Sequence, residues 1–247
     1  FIGVFVRIGS QKVILGGNGT QKTANLLREE GLNIIHMPKT IDNDIWGTDM
    51  TFGFQSAVDI ATDCIDCIHT TAASHGRVFI VEVMGHKVGQ LTLHAGIAGG
   101  ADMILIPEIP YRIDSIGKAM EALVTDEKAR KAMGEAAHQK VMEHYLTVNT
   151  GKDAMEELKK FMETYKYPTV SYEIADQLTK RLGTEVRVTV PGHTQRGGSP
   201  CPYDRVLSTR LGAAAAQAIV DDAYGCMIGI VNGECQRIPL EESAGKL

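Results

Sequence analysis

A chain of 247 residues, 44% apolar and 22% charged, has room for one large or two modest α/β domains and the composition of an ordinary globular protein. Its net charge of −5 excludes a general role on nucleic acid or a membrane surface and leaves room only for a local basic pocket. No apolar run reaches the length of a membrane span, and residues 1–9 are too short and wrongly flanked for a signal peptide. An odd count of five cysteines argues against a disulfide framework and for a reduced, cytoplasmic protein.

Val13-Ile14-Leu15 reads as a strand that ends in Gly16-Gly17-Asn18-Gly19-Thr20, and residues 21–30 read as a helix stopped by Gly31. Strand, glycine loop and helix in that order can hold a phosphate on backbone N–H groups, or can simply make a tight βα turn. The apolar run 33–37 leads into Pro38-Lys39-Thr40-Ile41-Asp42-Asn43-Asp44. Pro38 ends that strand, because its ring fixes φ and it has no N–H for the ladder. The loop puts two carboxylates and a hydroxyl where α/β folds place ligands, although Asp and Asn are also ordinary turn and cap residues.

Thr51 can cap a helix running to about residue 73, with Phe54, Val58, Ala61, Ile65 and Ile68 on its apolar face. Cys64 and Cys67 make a C-x-x-C pair there. Without a second pair they read as core thiols rather than as a metal or redox site. A buried strand over 77–83 ends in Met84-Gly85-His86-Lys87; a helix over 91–99 and a strand over 103–106, closed by Pro107, follow. Alternation of this kind predicts parallel sheets covered on both faces. Residues 114–165 are charged helical text interrupted by Gly117, Gly134 and a polar break at 147–151. Their charges, among them Glu127, Lys128, Glu156 and Lys159, read as solvated helix faces. A helix over 172–182, stopped by Gly183, and a strand over 186–190 lead into the loop 192–200. Asp204 can cap a last long helix that buries Val206, Leu211, Ala215 and Ile219, and a short strand over 226–231 ends the regular text.

The loops 16–20, 38–44, 192–199 and, less marked, 84–87 all follow strand ends and can share one crevice. A glycine loop for phosphates, a carboxylate for a hydroxyl proton and arginines (Arg77, Arg187, Arg196) for an anion are the parts that phosphoryl transfer needs. These stretches, with Gly99-Gly100, Pro107-Glu108 and Tyr203-Asp204-Arg205-Val206-Leu207, occur in the order found in 6-phosphofructokinases. The sequence resembles that family over residues 12–112 and 168–235, and its TIDND and GHTQRGGSP stretches are the most specific part of the likeness.

The resemblance implies two Rossmann-like parallel-sheet lobes with helices on both faces. A phosphoryl-donor lobe would take residues 1–52 with 197–235, and a sugar-phosphate lobe 53–196 with 236–247. It implies transfer of a phosphoryl group from ATP, with Mg²⁺, to the 1-hydroxyl of fructose 6-phosphate in glycolysis. Asp42 would be the general base, Thr40 would bond the sugar end or the transferring group, and Asp44 would hold Mg²⁺ or order the loop. Gly17, Asn18, Gly19, Thr20 and Lys39 would hold donor phosphates. Met84 and Gly85 would touch the sugar, and His193 and Arg196 its 6-phosphate. Arg77 and Arg187 would reach a neighbouring subunit's site, which implies a homodimer or homotetramer.

The chain departs from the family at several points. Asn18 replaces the usual metal-supporting aspartate, and an amide can coordinate without bringing charge. Gly19 leaves room for a nucleotide α-phosphate and favours ATP, whereas Lys39 is typical of pyrophosphate users. His86 replaces the arginine of effector-regulated bacterial relatives. The family's N-terminal phosphate loop and the strand ending in a sugar-binding glutamate are not found, and Glu173 lies too far along to supply the latter. These departures keep a pyrophosphate-dependent enzyme and a non-catalytic regulatory sugar-phosphate-binding subunit as alternatives. NAD and diacylglycerol kinases share the glycine loop but lack the GHTQRGGSP stretch.

Overall fold

The central strand of the larger sheet reads Ile-Ile-His-Met-Pro, and every one of its residues is buried, as expected of a parallel strand covered on both faces. A computed structural model describes residues 4–8, 11–125 and 166–246. It divides into two compact units: Phe1–Ala61 with Met84–Leu91 and His193–Leu247, and Thr62–Val83 with Thr92–Gly192.

In the first unit, β1 (Val4–Ile8), β2 (Gln11–Gly16), β3 (Ile34–Pro38), β6 (Cys226–Val231) and β7 (Glu234–Pro239) form one sheet in the order β1-β2-β3-β6-β7. The pairs β2–β3 and β3–β6 are parallel, and the two edge strands are antiparallel to their neighbours. Successive side chains alternate between the faces. Val13, Ile35, Met37 and Ile228 pack with Leu207, Leu211, Ala215 and Ala218 of α6 (Pro202–Val220). Ile14, Ile34 and Met227 pack instead with Ala24 of α1 (Asn18–Glu29) and Leu240 of α7 (Leu240–Ser243).

In the second unit, β4 (Val78–Val81) and β5 (Val186–Thr189) pair in parallel. Ile80 and Val186 join Ile116 of α4 (Ile113–Thr125) and Ile174 and Leu178 of α5 (Val170–Leu182) in one apolar cluster. Gly183 ends α5 in the left-handed conformation that its sequence predicts. The run 103–106 is not a strand. Met103 and Leu105, half-buried, pack against that cluster, but the backbone joins neither β-ladder. The predicted charged faces and polar break over 126–165, including Gly134, Glu127, Lys128, Glu156 and Lys159, lie outside the described residues.

Several expectations change. Residues 236–247 belong with the first unit, because β7 pairs along the whole of β6. Its hairpin turn is Asn232-Gly233, both at positive φ, the pair that a tight turn between twisted strands demands. Pro38 ends β3 as its ring chemistry predicts, and it lies opposite Gly16. In α6 the buried face runs through Asp204, Leu207, Leu211, Ala215 and Ala218, so Val206 is exposed. Cys64 is half-buried and Cys67 exposed, and neither is a core thiol. No helix among the described residues is long and apolar enough to cross a membrane.

Asp204 does not cap its own helix, whose N-cap is Cys201. Its carboxylate accepts hydrogen bonds from Gly53 N–H at 2.9 Å, Ser56 N–H at 2.8 Å and Ser56 Oγ–H at 2.5 Å, at the start of α2 (Phe54–His75). Thr51 is not the cap of α2 either, because its hydroxyl donates to Thr40 O at 3.0 Å. A buried carboxylate at a helix N-terminus satisfies orphan donors and meets the positive end of the dipole. Asp204→Ala is expected to lower stability by about 2–3 kcal/mol, with Asp204→Asn in between. Urea denaturation should show a shifted midpoint with an unchanged m-value.

Candidate active site

The parallel register sets Gly16 opposite Pro38, so β2 and β3 end level. The Gly16 carbonyl accepts from Lys39 N–H at 3.1 Å and from His36 Nε2–H, also at 3.1 Å. A side chain at Gly16 would place its Cβ 2.4 Å from Thr20 Oγ1, which excludes anything but glycine. The chain then turns at once into α1. The helix begins at Asn18, earlier than the expected Gln21, so Asn18, Gly19 and Thr20 form its first turn. Gly17 is the N-cap and makes no side-chain cap bond, which leaves the first turn able to meet an anion. A Cβ at Gly19 would meet nothing within 4 Å, and one at Gly17 would touch Thr40 at 3.4 Å. The glycine loop therefore lies against the loop that follows β3.

That second loop is held by its own side chains. The Thr40 hydroxyl donates to Asp42 Oδ2 at 3.2 Å and accepts from Asp42 N–H at 3.2 Å. Asn43 is at φ 53° and accepts from Thr51 N–H at 2.8 Å while donating to Asp49 O at 3.3 Å. The cap of the next helix is supplied by Asp204, so Asp42 and Asp44 are not consumed by that task. Oδ1 of Asn18, of Asp42 and of Asp44 is in each case buried without a hydrogen-bond partner. The Asp44 carboxyl is held above the usual carboxylate range, first by burial and then by the charge of Asp42; His86 and Lys22 act against this.

Each of these atoms is an oxygen donor, the type that a hard cation such as Mg²⁺ takes. Among the described residues no three His, Cys, Asp or Glu side chains are grouped to hold a metal by themselves. That fits an ion taking one or two protein carboxylates and completing its shell with water and phosphate.

The loop after residue 83 makes a tight turn in which Val88 N–H donates to Gly85 O at 2.9 Å and His86 is at φ 54°. A Cβ at Gly85 would fall 2.4 Å from Val88 O. Met84 N–H donates to Gln195 Oε1 at 3.3 Å, and Gln195 is buried in the short 3-10 turn Gly192–Arg196. Gln195 thus ties Met84 and Gly85 to the stretch that carries His193 and Arg196, both exposed. Lys39 is exposed at the end of β3. The first unit therefore brings together Gly17–Thr20 as one loop, Lys39 to Asp44 as another, and Met84 with the 193–196 turn as a third group. Arg77 and Arg187 lie in the second unit, where both reach Glu185, at 3.3 and 3.0 Å. Their guanidinium groups, Arg187 first, hold the Glu185 carboxyl below its usual range.

The structure gives supporting roles to three residues of the motif stretches and to His36, which motif reading passed over. Asp204, Asn43, Gln195 and His36 touch the loops rather than line them. The signal for His36 was present: a histidine inside an otherwise apolar strand.

A family model described as Phosphofructokinase matches residues 10–219. The ATP-dependent 6-phosphofructokinase of Spirochaeta thermophila is 52% identical over 235 residues, and the ATP-dependent 6-phosphofructokinase 3 of Bacteroides thetaiotaomicron is 46% identical over 235. Each match takes in 95% of this chain and 63% of the relative, so the chain spans less than two-thirds of the length of these relatives. Among solved structures, phosphofructokinase of Pichia pastoris in the T-state gives a TM-score of 0.69 at 31% identity, over 94% of this chain and 25% of that one. A pyrophosphate-dependent phosphofructokinase from Marinobacter aquaeolei gives 0.68 at 22% identity, over 95% and 59%, a likeness of fold alone.

His36 also makes the stability of this region depend on pH. Burial lowers its pKa to about 4, partly offset by the bond to Gly16. The unfolded chain, with an ordinary histidine near 6.5, binds more protons through that window, so stability is lost as pH falls from 6.5 to 4. The His36 share of that loss is up to about 3 kcal/mol. The difference between wild type and His36→Leu in urea titrations across this range isolates it; parallel curves would show that His36 does not contribute.

Proposed function

Because the chain belongs to the phosphofructokinase family, we propose that it transfers a phosphoryl group from ATP to the 1-hydroxyl of fructose 6-phosphate. The observation that carries this reading is the state of Asp42. One carboxylate oxygen is steadied by the Thr40 hydroxyl, and the other is buried with no partner, poised to accept a proton. The proton of the sugar hydroxyl passes to Asp42 as its oxygen attacks the terminal phosphorus. The bond from that phosphorus to the bridging oxygen breaks, and ADP leaves. Thr40 keeps the carboxylate turned toward the hydroxyl. The uncapped first turn of α1, from Gly17 to Thr20, with Lys39 beside it, receives the donor phosphates. Asn18 and Asp44 would hold Mg²⁺ through their unpartnered oxygens, and that ion would supply neutralisation of phosphate charge.

On the acceptor side, Met84 and Gly85 meet the sugar, and His193 and Arg196 meet its 6-phosphate. The exposure of His193 and Arg196 beside the Met84 loop supports that role. In a homodimer or homotetramer, Arg77 and Arg187 serve the neighbouring subunit's sugar phosphate, exchanging the shared Glu185 for phosphate oxygens. The open space at Gly19 and the ATP-dependent relatives support ATP as the donor. The exposed Lys39 is the observation on the side of pyrophosphate. Free cysteines throughout suit the cytoplasm.

The test is formation of fructose 1,6-bisphosphate by the full protein from fructose 6-phosphate and Mg²⁺, with ATP or pyrophosphate. Product from neither donor would leave the non-catalytic regulatory reading. Asp42→Ala is expected to lower kcat at least about a hundredfold while KM stays within a few-fold, because a base acts in the transition state. Near-normal turnover would remove Asp42 from the role. Arg196→Ala is expected to raise KM for fructose 6-phosphate about tenfold or more, as lost charge-assisted bonds require. An unchanged KM would place Arg196 outside the site.

A further inference from the structure

Resting on the reading of Gly17–Thr20 as the donor-phosphate loop, we infer that His36 is a positioning residue that fixes the Gly16–Gly17 peptide in the orientation a donor phosphate needs. His36 is fully buried in β3 between Ile35 and Met37, and its Nε2 lies 3.1 Å from Gly16 O. The carbonyl can only accept, so Nε2 carries the hydrogen. The other ring nitrogen, Nδ1, is buried with no hydrogen-bond partner. An apolar side chain would fill this place in the strand without desolvating two nitrogens to gain one bond. The strands do not need the extra strap either, since β2 and β3 already pair from Lys12 with Ile34 to Gly16 with Pro38.

What the imidazole adds lies at the end of the strand. A trans peptide opposes its carbonyl and its N–H. With Gly16 O drawn toward β3 by both His36 and Lys39, the N–H of Gly17, the N-cap of α1, is turned away from β3 and is not spent on that strand. Glycine on both sides of this peptide makes it free to rotate, and one donor from Lys39 holds it less firmly than two. His36 thus converts a permissive glycine pair into a preset phosphate contact, lowering the ordering cost when the donor binds.

The test is calorimetric binding of MgATP and of magnesium pyrophosphate to wild type, His36→Leu and His36→Gln, with steady-state KM values for donor and fructose 6-phosphate. His36→Leu is expected to weaken binding of the preferred donor about five- to tenfold. Its KM for the sugar phosphate should stay within twofold and its urea midpoint at pH 7 should not fall. His36→Gln, which can set an amide N–H near the Nε2 position, is expected to recover most of the donor affinity. Should the leucine variant fail to fold, His36→Met makes the same comparison. Unchanged donor binding in the folded apolar variant, equal loss on both substrates, or no recovery with glutamine would overturn the inference. A wild-type protein that bound neither donor would overturn the phosphate-loop reading itself and this inference with it.

Discussion

One carbonyl, that of Gly16, sets the geometry from which the rest of the site follows. It receives Lys39 N–H from the end of β3 and His36 Nε2–H from its middle, so the two strands finish level and in contact. Level strand ends force both loops out on the same edge, and the absence of a Cβ at Gly16 lets Thr20 pack directly beneath. The N-terminus of α1 and the Asp42 loop are then neighbours by construction. Brought to one edge of a parallel sheet, they occupy the place where this kind of fold presents ligand-binding groups.

The acidic residues around this edge divide into those that build and those that remain available. Asp204 spends its carboxylate on Gly53 and Ser56, and Asn43 spends both ends of its amide on Asp49 and Thr51. Because the loop is held by these groups, Asp42 needs only one oxygen for local order, and Asp44 Oδ1 needs none. A loop restrained mainly by its neighbours can leave reactive atoms unsatisfied at some cost in stability, as functional sites commonly do.

The sequence made much of the frame legible, because apolar runs ending in glycine or proline mark buried strands whether or not their partners are known. The chemistry-bearing loops were legible too, as dense clusters of Gly, Asp, Asn and Thr at those strand ends. Long-range polar pairing was not legible. Asp204 at the start of a helix reads as that helix's own cap, and only the fold shows that it reaches Gly53, distant in sequence, instead. Spacing likewise put Val206 on the buried face, whereas the position of Asp204 rotates α6 to bury Leu207. The run 103–106 has strand composition but packs half-buried against the apolar cluster without joining a ladder, a distinction that hydrophobicity does not encode. The Asn232-Gly233 turn carries a plain hairpin signal, yet reading 226–231 as the last regular element misses β7.

The charge balance of the edge follows from the same division. Burial, and then the charge of Asp42, hold the Asp44 carboxyl above its usual range despite Lys22 and His86 nearby. An amide rather than a carboxylate at Asn18 keeps a third negative charge out of this space. Two like charges in partly buried surroundings favour a proton or a cation between them. In the proposed reading a divalent ion and the proton would compete for the Asp44 carboxylate, so acid would weaken ion binding. In that reading Asn18 would supply an oxygen but no charge, and the ion would keep more of its positive charge for the donor phosphates. On that reading the amide would move charge compensation from the protein toward the bound phosphate, and holding of that phosphate by the backbone of α1, with the Gly16–Gly17 peptide behind it, would matter correspondingly more.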